Sequence, residues 1–407
     1  MQRRKLLKYL SLTPLAAGVA GWQPSVYAAP APPPAGRDLF KELGVRTFIN
    51  AAGTYTMMTG SLMHDYVLDA INNGAKEFCM LDELQDKAGE KIALLVHSEA
   101  AVVTSGAFSA MTLGLAGILT GMDQKKVEQL PHIEGTGMKS EVICQKAHEI
   151  VYNHALKNTG CKIIYIETVE ELEGAINDKT ALLHFLNIEA DKGKIMHEEW
   201  VAIGKKHGIP TSIDIAADVP PVSNLWKFND MGFSFVAISG GKAMRGPQSA
   251  GLLMGNKDII SAARLHMPPR GFNVGRGMKV NKEEILGMYV ALEKYINYDH
   301  DKEWKVWEEA TTKIENSVKA VNGVITKVTV PALGNTTPTL EITWDNNKIK
   351  LTGKELQQKL RNASPSIEIG DVQEKSIAVT VWMLKPGQEK IVATRIAEEL
   401  AKAVVSS

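Results

Sequence analysis

The 407 residues are 44% hydrophobic and 23% charged, a globular balance with enough apolar residues for a large core and two or three structural units. Basic and acidic residues are equal at 46 each, so nothing points to a surface built for nucleic acid. Three cysteines (Cys79, Cys144 and Cys161) argue against a disulfide framework, and the apolar surroundings of Cys144 and Cys161 make them core residues rather than ligands.

At the start of the chain, Arg3-Arg4-Lys5 precedes an apolar stretch from Leu6 to Trp22, and Val26-Tyr27-Ala28 offers the small residues of a cleavage site. Residues 1–28 read as an export signal, and Gln2-Arg3-Arg4-Lys5-Leu6-Leu7-Lys8 resembles a twin-arginine signal. The stretch is short and contains Pro and Gly, so no stable membrane anchor is expected once the signal is removed. The signal holds four bases and no acid, which leaves 42 bases against 46 acids and a periplasmic location as the expectation. Residues 29–36 form a stiff Pro-rich linker, and 37–60 an N-terminal arm.

A regular alternation follows. Strands are predicted at Ala101–Thr104, Val142–Cys144, Lys162–Ile166, Ala181–Phe185, Thr211–Asp214 and Ser234–Ile238. Helices are predicted at Ala107–Leu119, Ala147–Lys157 and Glu198–His207. Short apolar runs between amphipathic helices are the pattern of an α/β fold, a mostly parallel sheet with helices on both faces. After about residue 281 the pattern changes to a long helical stretch from Lys282 through about Val321. Strands near Val324–Val328, Thr339–Trp344, Ile367–Ile369 and Ile377–Val381 come next, then a helix from Gly387 to Ala403. Strands in sequence closed by a helix read as a smaller C-terminal α+β domain. The expected division is a large domain over 61–300 and a small one over 301–407.

Three chemical features lie where strands end, the place at which open α/β sheets hold ligands. Thr104-Ser105-Gly106-Ala107 precedes a helix, whose free N–H groups and dipole make an anion cradle; taken alone it reads first as a plain strand-to-helix turn capped by Ser. Asp214 ends a strand, where a carboxylate can pair with a protonated ring nitrogen or act as a helix cap. Ser239-Gly240-Gly241-Lys242 turns sharply after another strand and presents an amine; a solvated loop lysine is the alternative. Burial, and a cationic neighbour such as Arg245, would make that amine nucleophilic, and Ser239 and Arg245 could both reach a phosphate.

In this order the features resemble a family. Ile49-Asn50-Ala51-Ala52-Gly53-Thr54, Asp82-Glu83-Leu84-Gln85, Thr104–Ala107, Ile213–Pro221, Ser239–Gly251 and Gly275–Val280 are together similar to fold-type I pyridoxal 5′-phosphate (PLP) enzymes. The group is the selenocysteine synthase-like one, related to the class V aminotransferases. The resemblance is good over roughly 37–300 and loose beyond. It implies a fold-type I sheet of the seven-stranded type. It implies that Lys242 holds PLP as a Schiff base and moves the α-proton, that Asp214 pairs with the pyridine nitrogen, and that Ser105, Gly106, Ala107 and Ser239 hold the phosphate. His148 would stack on the ring, with His64 and His184 as weaker candidates. Arg270 and Arg276 would bind a substrate carboxylate or phosphate. At least a homodimer is implied.

Ser239-x-x-Lys242 also fits the start of a serine hydrolase motif, but Ser-x-Asn and Lys-Thr-Gly are absent and the glycines oppose the helix it needs. No metal site is expected, since neither His-Glu-x-x-His nor Cys-x-x-Cys occurs. The expected activity is a PLP lyase using α,β-elimination on a small amino acid or amino-sugar acid. A selenium transferase acting on seryl-tRNA, or an aminotransferase, is the alternative. The acidic excess after the signal argues against a nucleic-acid partner.

Overall fold

The computed structural model describes residues 36–405, so the export signal and nearly all of the linker lie outside the described residues. The described residues up to Thr47 belong to a unit of their own. It holds one helical turn, Leu39–Glu42, capped by Asp38, which accepts from the Lys41 N–H, and an Arg37–Glu42 ion pair.

The second unit begins at Phe48. Its strands, in chain order, are β1 (Ile49–Ala51), β2 (Ala100–Thr104), β3 (Glu141–Gln145), β4 (Lys162–Ile166), β5 (Thr180–Leu186), β6 (Thr211–Asp214), β7 (Phe235–Ser239), β8 (Gly251–Gly255), β9 (Val324–Thr329), β10 (Thr339–Trp344), β11 (Ile367–Ile369) and β12 (Ser376–Thr380). Strands β2 to β8 make a seven-stranded sheet in the order β2-β8-β7-β6-β5-β3-β4. Only β8 runs against the direction of the other six strands, so the expected mostly parallel α/β sheet is what the chain forms.

Strand alternation sorts the core. Leu183, Phe185, Ile213, Val236 and Ile238 pack on one face with Ile92, Trp200 and Met288 from flanking helices. Val142, Cys144, Leu182, Phe235, Ala237 and Leu253 pack on the other with Met111, Leu113 and Leu115 of the helix Gly106–Thr120. Asp214 and Ser239 follow Ile213 and Ile238 by one residue, so alternation turns them toward the Gly106–Thr120 side.

Beyond the sheet, β9, β10 and β12 form an antiparallel sheet in the order β12-β10-β9. Its core includes Ile314 and Val318 of the helix His300–Lys319 and Val392, Ile396 and Leu400 of the helix Gln388–Lys402. β11 stays out of that sheet and pairs in parallel with β1, and Ile49 and Ala51 join the same core.

Several elements differ from the sequence-based expectation. The helix foreseen over Ala147–Lys157 is two 3-10 turns and one α-helical turn. Its chain is extended at Ile150, with φ −135°, and the Asn153 amide donates to the His148 carbonyl at 2.9 Å, closing a turn in place of a helix. The long stretch after Lys282 is two helices, Lys282–Ile296 and His300–Lys319, because Asp299 caps a new start by accepting from the Lys302 N–H. Helices at Asp65–Gly74, Leu81–Leu95 and Gly353–Arg361 and the strand β8 were not foreseen.

Candidate active site

Lys242 lies in the turn after β7. The Gly240 N–H donates to Ala250 O at 2.8 Å, Gly246 N–H to Gly240 O at 2.9 Å and Arg245 N–H to Lys242 O at 2.9 Å, so residues 240–250 fold back on themselves. A Cβ on Gly240 would stand 2.2 Å from Met288 Sδ, and one on Gly241 2.4 Å from the Gln248 Cα. The two glycines are therefore steric requirements of the turn that carries the lysine. Lys242 is half-buried; burial lowers its pKa below the ordinary lysine value, while Asp214 and Asp218 oppose the change. Lowering a lysine pKa leaves more free amine at neutral pH and so a better nucleophile.

Asp214 is 4% exposed at the end of β6, and its Oδ1 accepts the Ala216 N–H at 2.8 Å. Burial raises its pKa, while the Ala216 N–H and Lys242 pull it down. A buried carboxylate with one backbone donor is costly until a cationic partner arrives.

The register brings the remaining pieces to the same edge. Gly251, which opens β8, pairs with Thr104 on one side and Ser239 on the other, and Asp214 pairs with Ala237 of β7. A Cβ on Gly251 would lie 2.6 Å from the Gly106 carbonyl carbon and 2.8 Å from the Ala107 nitrogen, so the absence of a side chain seats the loop against the sheet. Ser105 precedes the 15-residue helix Gly106–Thr120 without capping it through its side chain. Its Oγ donates to Ser109 Oγ at 2.9 Å, and Ser109 Oγ donates to Ser105 O at 2.9 Å. Gly106 has φ +86°, a left-handed backbone open to glycine without strain. The first N–H groups of this helix, including those of Gly106 and Ala107, have no intrahelical acceptor and sit at its positive end. An amine, a carboxylate short of a cation and an uncapped helix start correspond to the aldehyde, pyridine nitrogen and phosphate of PLP, so these residues fit that cofactor.

The remaining candidates have other surroundings. His148 is 0% exposed, its ring set edge-on to Phe185 at 4.5 Å, and its Nδ1 accepts the Leu186 N–H at 3.2 Å. Protein atoms cover the ring completely, so no face is open for the expected stacking; burial also lowers its pKa to about 4. His184 is buried as well, bonded to Ser212 Oγ at 2.8 Å. Arg270 is engaged by Asp82, with contacts of 3.1 and 3.4 Å, and by Arg264 O at 3.2 Å, which leaves its guanidinium occupied rather than open to a substrate. Arg276 is exposed. Arg245 has the more suggestive setting. Its φ is +50°, its Nη2 donates to Trp382 O at 2.6 Å, and it lines a cavity of about 580 Å³ with His64, Lys302, Glu303 and Lys385. The sequence offered its place three residues after Lys242 as the only signal.

The chain is similar to several known proteins. Residues 77–275 match the aminotransferase class-V family. The chain is 25% identical over 341 residues to D-glucosaminate-6-phosphate ammonia lyase of Salmonella typhimurium, covering 81% of this chain and 88% of that protein. A 5′-C-glycyluridine monooxygenase-decarboxylase of a Streptomyces species is 26% identical over 377 residues, 89% of this chain and 92% of that one. L-seryl-tRNA(Sec) selenium transferase of Serratia proteamaculans is 25% identical over 252 residues, 57% of this chain and 50% of its own. Among solved structures, D-glucosaminate-6-phosphate ammonia-lyase superposes with a TM-score of 0.79 at 23% identity, over 90% of this chain and 99% of that one. An SPT structure holding PLP superposes with a TM-score of 0.56 at 15% identity, over 86% and 87%. The chain thus carries an aminotransferase class-V domain at residues 77–275 within the fold of the PLP enzymes, and it is a PLP-dependent lyase or transferase.

Proposed function

We propose that this protein is an exported PLP lyase that removes ammonia from a small amino acid or amino-sugar acid by α,β-elimination. The observation that carries the reading is the Lys242 turn itself. A partly desolvated amine and an arginine bordering a cavity of about 580 Å³ leave the same four-residue turn. The 25%-identical relative, matched over 88% of its length, is an ammonia lyase of an amino-sugar acid phosphate, which supports that substrate class. The match to a tRNA-dependent transferase reaches only 50% of that protein.

When bound, PLP supplies an electron sink for the pair left at the substrate α-carbon. The chain does the rest. Backbone N–H groups of Gly106 and Ala107, with the Ser105 and Ser239 hydroxyls, would hold the phosphate. The Asp214 carboxylate would keep the pyridine nitrogen protonated. Lys242 Nζ would take the α-proton, and Arg245 would hold an anionic group of the substrate. In the net reaction a 2-amino-3-hydroxy acid loses water, regains it by hydrolysis, and leaves as a 2-oxo acid and ammonia. Export is supported by the sequence of residues 1–28, which lies outside the described residues.

Incubation of the holoenzyme with a panel of amino acids and amino-sugar acids, assayed for ammonia and 2-oxo acid, tests the reading. Equimolar release of both is expected. Transfer of the amino group to an added oxo acid with no free ammonia would replace the lyase by an aminotransferase.

A further inference from the structure

A second buried carboxylate stands beside Asp214 without a task in the scheme above. Asp218 is 2% exposed, on the loop that follows β6. Its Oδ1 accepts the Gly334 N–H at 3.0 Å, and the Asn187 side chain gives it a further hydrogen bond. Asn187 is itself oriented, because its Oδ1 accepts from His197 Nε2 at 2.8 Å. An amide whose oxygen is held by an imidazole N–H turns its NH₂ the other way, toward Asp218. All three side chains are buried, so the chain of bonds is sheltered from water.

The Gly334 contact belongs to a larger seam. Next to it the Asn335 N–H donates to Ala217 O at 2.7 Å, and Asn335 Oδ1 accepts from Thr54 Oγ1 at 3.4 Å. Asn335 has φ +45°, a left-handed conformation uncommon outside glycine and kept where surrounding contacts fix it. The β9–β10 loop, rooted in the C-terminal core, is thereby stitched to the loop that carries Asp218 and follows Asp214. The charged groups that face Asp218 are Asp214 and Lys242, with His197 beyond Asn187. Burial pushes Asp218 up to about 7, Asn187 opposes that and Asp214 adds to it.

We propose that Asp218 is a positioning residue for the chemistry at Lys242: oriented by Asn187 and by the Gly334 N–H, its carboxylate steadies the Lys242 nitrogen electrostatically and fixes the β9–β10 loop against the end of β6. The proposal rests on Lys242 being the cofactor lysine. Asp218 acts through Lys242 and touches no reacting atom.

The test is a pH titration of the visible cofactor band in the holoenzyme. Asp218→Asn keeps the size of the side chain and an oxygen for the Gly334 N–H, and it removes the charge. Its midpoint is expected about 1 pH unit below wild type, because a nearby negative charge favours the protonated nitrogen. Asp218→Glu should recover part of the difference. Asn187→Leu, which withdraws the orienting donor but leaves Asp218 in place, should move the midpoint the same way by less. Equal midpoints in wild type and Asp218→Asn would overturn the proposal, whatever the melting temperatures. Should Asp218→Asn not load cofactor, an unmoved midpoint in Asn187→Leu overturns it instead. Borohydride labelling of wild type separates the two readings. Label on Lys242 with unmoved midpoints removes only the Asp218 role, whereas label on another lysine removes both.

Discussion

Replacing Asp214 by Asn leaves an oxygen that can still accept the Ala216 N–H, so the fold should survive. An amide cannot hold a pyridine nitrogen protonated, and turnover should fall by about 10²-fold or more, the scale of other single electrostatic contributors. Steady-state kinetics beside a melting curve check this; wild-type turnover in the variant would reject the Asp214 role. Burial also shapes the acid response. His148 and His266 are lowered to about 4 and His184 to about 3, from an ordinary 6.5. Between those values the unfolded chain binds protons that the folded one excludes. This stability is complete above about pH 6.5 and is lost as pH falls toward 4. Urea midpoints should drop over that window, and less so in His266→Gln; a slope unchanged in the variant would contradict the assignment. The strand-end places of Lys242, Asp214 and Ser105–Ala107 could be read from the sequence, because strand ends advertise themselves through local pattern. His148 and Arg270 could not: what covers or engages them, Phe185 and Asp82, comes from distant parts of the chain.

At the scale of elements, the piece hardest to see was β8. Leu252-Leu253-Met254 is three apolar residues between glycines, and only pairing with β2 and β7 makes it a strand. Its first glycine is nonetheless what seats the 104–107 loop against the sheet. Gly251→Ala puts a methyl where Gly106, Ala107 and the Ile238 carbonyl already stand, at 2.6 to 2.8 Å. Overpacking of this kind costs about 1–3 kcal/mol. The strain falls on the loop, so cofactor affinity should drop by about 10-fold or more, since 1.4 kcal/mol is a factor of ten. Titration of the apoprotein with PLP measures it; unchanged affinity would mean that the 104–107 loop does not hold the phosphate. The broken helix near 150 and the break at 297–299 escaped the sequence reading for a related reason. Each is set by a side chain, Asn153 or Asp299, bonding to the backbone rather than by hydrophobic period.

Across the whole molecule, two cores share one chain. β1, near the beginning of the second unit, belongs to the C-terminal core through β11, a pairing that spans more than 300 residues and leaves no local trace in the sequence. Large apolar side chains stay in solvent, among them Phe78 at 103% and Phe272 at 86% exposure, which a second copy of the chain would cover. Sedimentation should find at least a dimer, and a fully active monomer would contradict this. The central claim, however, is that Lys242 is the residue that binds the cofactor. Borohydride reduction of the purified holoenzyme, followed by peptide mapping, tests it most directly. The pyridoxyl label is predicted on the peptide containing Ser239-Gly240-Gly241-Lys242; a label on any other lysine, or none in protein that contains PLP, would contradict the account.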